Sequence, residues 1–238
     1  ALMTSNNSMK INVQVISTGS KGNAVFLNDE VLVDCGVPFK QLLEAGIVDK
    51  LKYVFLTHQH KDHVNLTTIK RLFEYKPTIR IIAPDYLKSI FVHCSWISFL
   101  NINNFFFAEI GQWYKIGDIQ YTAVRLHHDV PNVAWKLFFQ LPYSIYYKVL
   151  YATDTANMDG VKAMNYDLYL IESNYTKSDI VRRIKEKRAN GQFCYEDRVL
   201  KTHLSKEQCD SFLADNMGEH SYFIYLHEHA EEIEESEK

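Results

Sequence analysis

Cysteine is scarce and dispersed: Cys35, Cys94, Cys194 and Cys209 stand far apart, and no C-x-x-C pair joins them. Such spacing builds no disulfide scaffold and fits reduced thiols in a cytoplasmic protein. Glycine and proline are sparse as well, at nine and five residues in 238. With 47% apolar and 23% charged residues, that composition excludes collagen-like, coiled-coil and disordered chains. No apolar run approaches the roughly 20 residues of a membrane-spanning helix, so no membrane partner is expected. The opening ALMTSNNSMK lacks the apolar centre of a secretory signal. Neither sign of charge dominates, with 26 Lys and Arg against 29 Asp and Glu. A chain this close to neutral does not hold polyanions through bulk charge, and a nucleic-acid contact then requires a local patch or a metal. A P-loop, a dinucleotide-binding fingerprint and a Ser-His-Asp elbow are all missing. Histidine, by contrast, is plentiful: ten residues, several of them clustered.

Folding a chain of this length buries about 70–75% of its surface, enough for one large core. No linker divides the sequence, so a single domain over residues 1–238 is expected, with 1–9 read as disordered or appended and 230–238 as an acidic tail. Strands are predicted over INVQVIS, AVFLN, VLVDCG, YVFLT, IRIIAP, the alternating stretch between 105 and 149, DLYLIES and SYFIYLH. Helical spacing marks PFKQLLEAGI, LTTIKRLFEY, DYLKSIFVHCSWI, SDIVRRIKEKR and SKEQCDSFLAD. Gly117-Asp118, between two alternating runs, reads as a short hairpin turn. Strands interrupted by helices in both halves imply an α+β chain, sheet packed on sheet with helices outside.

The central signal is Thr57-His58-Gln59-His60-Lys61-Asp62-His63, between an apolar strand and a helix. Three imidazoles and a carboxylate so close together are poor core material but suit a borderline divalent cation. In an extended segment His58 and His60 point the same way and can reach one ion. Asp62 and His63, displaced by the turn, can serve a second. Four ligands do not close two sites. Further candidates lie where predicted strands meet loops: His127, His128 and Asp129 after YTAVRL, Asp154 after VLYAT, His203 in KTHLSK and His227 after YFIYL. The helix around 179–188 carries Arg182, Arg183, Lys185, Lys187 and Arg188. Its basic face reads first as solvated and second as a track for a phosphate backbone, with a steep salt dependence in the second case. The two glycines of STGSKGN read as a tight turn beneath the histidine cluster.

Taken together, SKGNA, VLVDCG, FLTHQHKDH, HHDVPN, ATDT, LIESN, THLSKEQ and YLH resemble the metallo-β-lactamase superfamily over nearly the whole chain, and within it the YycJ/WalJ-like subgroup. The resemblance implies a four-layer αβ/βα sandwich with two divalent metal ions, Zn²⁺ or Mn²⁺, on the rim between two sheets. It implies that His58, His60 and His128 hold the first ion, that Asp62, His63 and His227 hold the second, and that Asp154 bridges them. His128 is preferred to His127 because Asp129 follows it directly. His203 resembles the non-ligand histidine that contacts phosphate or donates a proton in the ribonuclease Z branch, and Asp34 a buried acid that steadies the metal loop. Tyr175 stands where the subgroup carries a histidine, and LHEHAEE replaces its last motif, so that His229 competes with His227.

The resemblance therefore implies a binuclear metal-dependent hydrolase in which a hydroxide shared by the two ions attacks an electrophile. Asp62 would orient the nucleophile and His203 would protonate the leaving group. A phosphodiesterase or nuclease acting on nucleic acid, single-stranded DNA first, is the expectation. Small phosphodiesters, thioesters and lactones are the alternative on the same site, and a non-catalytic metal-binding module is a third.

Overall fold

A computed structural model describes residues 10–97 and 103–227. The leading segment, the acidic tail and His229 lie outside the described residues. The chain forms two six-stranded sheets. The first runs in the order β1 (Val13–Ser17), β2 (Ala24–Leu27), β3 (Val31–Val33), β4 (Tyr53–Phe55), β5 (Arg80–Pro84) and β6 (Phe105–Ala108). The second, read from its far edge, is β12 (Tyr222–Leu226), β11 (Leu168–Glu172), β10 (Tyr146–Ala152), β9 (Asn132–Gln140), β8 (Ile119–Leu126) and β7 (Trp113–Ile116). Each sheet begins, in chain order, as an antiparallel meander and ends parallel: β3 to β6 pair parallel in one, β10 to β12 in the other.

The alternation of each strand decides its two faces. In β4 and the residue after it, Phe55 enters the core between the sheets while Val54 and Leu56 face the other way. In β10, Val149 and Tyr151 point inward and Leu150 and Ala152 outward. Trp135 of β9, fully buried, fills the centre of the inter-sheet core and meets Phe55 edge-on at 5.2 Å between centroids. Helices α1 (Phe39–Glu44), α2 (Leu66–Tyr75) and α3 (Lys88–Val92) cover the first sheet through Leu42, Ile69, Leu72 and Phe91. Outside the second sheet, α6 (Lys206–Asn216) packs Cys209, Phe212 and Leu213 onto Tyr169 and Ile171. Two more helices, α4 (Lys177–Ala189) and α5 (Glu196–Thr202), lie between β11 and α6 in sequence. Helix, sheet, sheet, helix: this is the four-layer αβ/βα sandwich of the metallo-β-lactamase fold.

Ile116 pairs with Ile119, so Gly117 and Asp118 make a two-residue hairpin, with Gly117 at φ +55° as such turns require. Elsewhere the structure corrects the reading. DYLKSIFVHCSWI is no single helix but a 3₁₀ turn, Asp85–Leu87, running into the five residues of α3. Helix α5 is not anticipated by the sequence pattern, because EDRVLKT is short and polar and offers little apolar spacing to detect. His203 accordingly follows a helix, not a strand. The basic face of α4 is largely neutralised: Arg182 pairs with Asp179 and Glu186, Arg183 with Asp179, Lys187 with Glu196 and Arg188 with Asp197.

Candidate metal centre

The parallel strands and β8 deliver their C-terminal ends to one rim, and the polar residues that end or follow them converge there. Asp34 follows β3, His58 lies just beyond β4, His128 beyond β8, Asp154 beyond β10 and His227 after β12, while Glu172 ends β11. Asp34, Asp154 and His227 have φ of +60°, +55° and +57°. Side chains other than glycine seldom adopt this left-handed conformation, and here it turns each chain sharply back over the rim.

The loop from His58 to His63 is held from below. Asp34, fully buried, accepts hydrogen bonds from the Thr57 amide at 3.0 Å, the Thr57 hydroxyl at 2.9 Å, His63 Nδ1 at 2.7 Å and the Tyr151 hydroxyl at 3.0 Å. Asn23, at the end of the Gly/Ser loop, donates its amide to the Asp62 carbonyl at 2.7 Å. Gly36 passes so close that a Cβ there would stand 1.7 Å from the Asp62 carbonyl oxygen, leaving no room for any side chain. From the opposite sheet the Trp135 indole donates to the Leu56 carbonyl at 3.0 Å.

Three groups of candidate ligands meet at this rim, and Asp154 belongs to all of them: His58, His60 and His128; Asp62 and His63; Glu172, His203 and His227. His58 Nε2 lies 3.1 Å from His60 Nδ1 and 3.4 Å from Asp154 Oδ2, and His128 Nε2 lies 3.4 Å from His60 Nδ1. Beside them His63 Nε2 is 3.0 Å from Asp154 Oδ2 and 3.8 Å from Asp62 Oδ2. His227 approaches from the other side, Nδ1 to Asp154 Oδ1 at 2.9 Å, and gathers with Glu172 and His203, where the sequence grouped it with Asp62 and His63. His127 is exposed and stands outside all three groups.

Hydrogen bonding fixes which ring nitrogen faces the centre. His128 donates Nδ1–H to the Thr202 carbonyl at 2.9 Å and His63 donates Nδ1–H to Asp34, so each turns Nε2 inward. A second hydrogen bond of this kind is the usual means of orienting a ligating imidazole. Burial, joined by the charge on His63, pushes His58 down to about 4, and burial lowers His128 as well. Both rings are therefore neutral, the form that binds a cation. Burial works against a charged His63, yet the Asp34 and Asp154 carboxylates outweigh it and hold that imidazole well above its ordinary range. Asp154 itself, despite burial, is held well below the ordinary carboxylate range by His63 and by hydrogen bonds from His227, His58 and His63. A rim that already stabilises positive charge against Asp154, and presents neutral imidazoles beside it, has the donor chemistry that a divalent ion requires.

Glu172 is the member of these candidate groups that sequence reasoning did not single out. Fully buried at the end of β11, it accepts from His203 Nδ1 at 2.5 Å and from the Thr155 amide at 2.9 Å. Burial opposes a charged His203, but the Glu172 hydrogen bond and charge prevail and raise it. The available signal was an acid closing an otherwise apolar strand, DLYLIE, where a buried carboxylate needs a partner.

Comparison with known proteins bears on the fold and the family. The chain is similar in structure to the metallo-β-lactamase fold protein YhfI from Bacillus subtilis, at 17% identity and a TM-score of 0.67 over 92% of this chain and 87% of that one. Human tRNase Z, short form, aligns at 15% identity and a TM-score of 0.61, covering 91% and 92% of the two chains. A diphosphatase from the PhnP family aligns at 14% identity and 0.59, over 92% and 87%. No curated protein matches the sequence. The family model for the beta-lactamase superfamily domain matches residues 29–223, and to that family this chain belongs.

Proposed function

We propose that the protein is a metal-dependent phosphodiesterase acting on nucleic acid, with single-stranded DNA its first candidate substrate. The observation that carries this reading is the convergence on Asp154 of His58, His60 and His128 on one side and Asp62 and His63 on another, with a Glu172-held His203 beside them. In this reading the first three imidazoles hold one divalent ion, Asp62 and His63 contribute to a second, Asp154 serves both, and His227 closes the rim from the Oδ1 side. Two such ions, when bound, supply Lewis acidity and neutralise the charge that builds on a phosphoryl group. The rest falls to side chains of this chain. Asp62, partly exposed at the mouth, orients the attacking group. His203 keeps a proton on its ring through Glu172 and carries it to the leaving oxygen, a task for a positioned imidazole. Among the structures it resembles, one is named a tRNase and another a diphosphatase, which favours phosphorus over acyl chemistry.

The direct test is metal analysis coupled to cleavage of end-labelled single- and double-stranded DNA and RNA. Activity on a nucleic-acid strand that EDTA removes and Zn²⁺ or Mn²⁺ restores is expected; turnover that persists in EDTA would refute metal dependence. His203 gives an independent check. Replacing it with Ala should slow turnover about 10²- to 10⁴-fold, the usual contribution of a positioned acid or base, while bound metal stays near the wild-type stoichiometry. Loss of metal from that variant would make His203 a ligand instead.

A further inference from the structure

Beside His128 a groove of about 460 Å³ opens, lined by His128, Asp129, Asp197, Arg198, Lys201 and Thr202. Helix α5 forms one wall and points its C-terminus at the candidate metal centre. The Thr202 carbonyl receives His128 Nδ1–H, and His203 is the next residue. Arg198 and Lys201 lie three residues apart, hence on one face of the helix, within its last turn and a half. Both acids of the groove are already engaged: Asp197 by Arg188 at 3.2 Å, and Asp129 by Arg198. Only one Nη of Arg198 makes that contact, and its side chain is 70% exposed. A guanidinium carries five N–H donors, so most of its capacity is left for the groove. Lys201 is exposed and takes part in no ion pair among the described residues. The groove therefore offers cationic donors beside the imidazoles: Arg198 pairs with Asp129, which lies 3.1 Å from His128 Nε2 and 3.5 Å from His60 Nε2.

We infer that Arg198 and Lys201 form a subsite for the phosphate adjoining the one that is cleaved. This rests on reading the centre as acting on nucleic acid, and it deepens that reading: the preferred substrate is a strand with neighbouring phosphates, not an isolated phosphodiester. Asp129 holds Arg198 at the groove wall until the strand arrives, and the remaining guanidinium donors and the Lys201 ammonium take the phosphate oxygens, as cations do along a single strand.

The experiment is fluorescence anisotropy of a labelled single-stranded DNA oligonucleotide with the full chain in EDTA, where binding is read without cleavage, at several salt concentrations. Lys201→Ala alters a side chain that holds no ion pair in the described structure, and Arg198→Ala with Lys201→Ala removes both cations. Each phosphate that the protein no longer neutralises should reduce the slope of log Kd against log salt by about 0.7. Because both cations serve one phosphate, the double variant is expected to lower it by about 0.7 and the single variant by a smaller amount, with affinity at about 0.1 M salt weakened about fivefold in the double variant. An unchanged slope, or a wild-type protein that does not bind the strand, overturns the subsite. Binding that falls as expected, from a metal-loaded wild-type protein that cleaves no strand, would uphold the subsite and overturn the hydrolase reading instead.

Discussion

Asp154→Ala is expected to abolish measurable turnover and to strip the protein of most of its metal. This carboxylate is the one member shared by all three candidate ligand groups, so its loss weakens every position at once. It also leaves His63 buried beside Asp34 alone, where Asp154 now contributes to holding its charge. Loss of Lewis-acid stabilisation worth about 4 kcal/mol corresponds to roughly a thousandfold in rate. Metal content by mass spectrometry, alongside cleavage of end-labelled DNA, reads both effects. Asp154→Asn separates them: the amide keeps the shape and some hydrogen bonds but removes the charge, so metal affinity should fall even where the fold is intact. Stoichiometric metal and near-normal turnover in Asp154→Ala would refute the proposed centre.

Trp135→Ala should produce the largest loss of stability from a single core substitution. The indole is fully buried at the middle of the inter-sheet core, in edge contact with Phe55 and Tyr121, and its N–H satisfies the Leu56 carbonyl. Truncating a buried aromatic to alanine costs about 3–5 kcal/mol through lost transfer energy and the cavity left behind. In a domain of this size each kcal/mol lowers the thermal midpoint by about 2–4 °C, so a fall of roughly 10 °C is expected. Trp135→Phe keeps much of the apolar surface but loses the donor and part of the ring volume, and should cost less than the alanine variant, about 1–3 kcal/mol. Because Leu56 stands two residues before His58, both variants should loosen the metal loop as well as the core. A midpoint unchanged in Trp135→Ala would mean that the two sheets are not joined through this residue.

Much of this architecture can be read from residue patterns, for definite physical reasons. Strands such as YVFLT and YKVLYAT advertise themselves because both faces are buried, and LTTIKRLFEY because one helical face is apolar; α2 spans that same segment. The histidine loop stands out because nothing structural accounts for so many imidazoles in one turn. Glu172 is harder to see, since a lone acid at a strand end has no local pattern, and its meaning depends on His203, 31 residues away. Helix α5 escapes because its face toward the groove is charged. The pairing of α4 with Glu196 and Asp197 escapes for the same reason: ion pairs between neighbouring helices leave no periodicity in either one. What a sequence hides is therefore contact between polar residues that are distant along the chain.

The left-handed turns at Asp34, Asp154 and His227 carry an implication for anyone wishing to make this protein hardier. Glycine would relieve roughly 1–2 kcal/mol of backbone strain at such a position, but at Asp34 it would also leave the buried Thr57, His63 and Tyr151 donors without their acceptor, a larger loss. Each such swap would delete an acid or an imidazole from the rim, so relief of strain there does not translate into a hardier protein. Libraries aimed at thermal tolerance should leave those three codons fixed and look for their gains in the exposed loops.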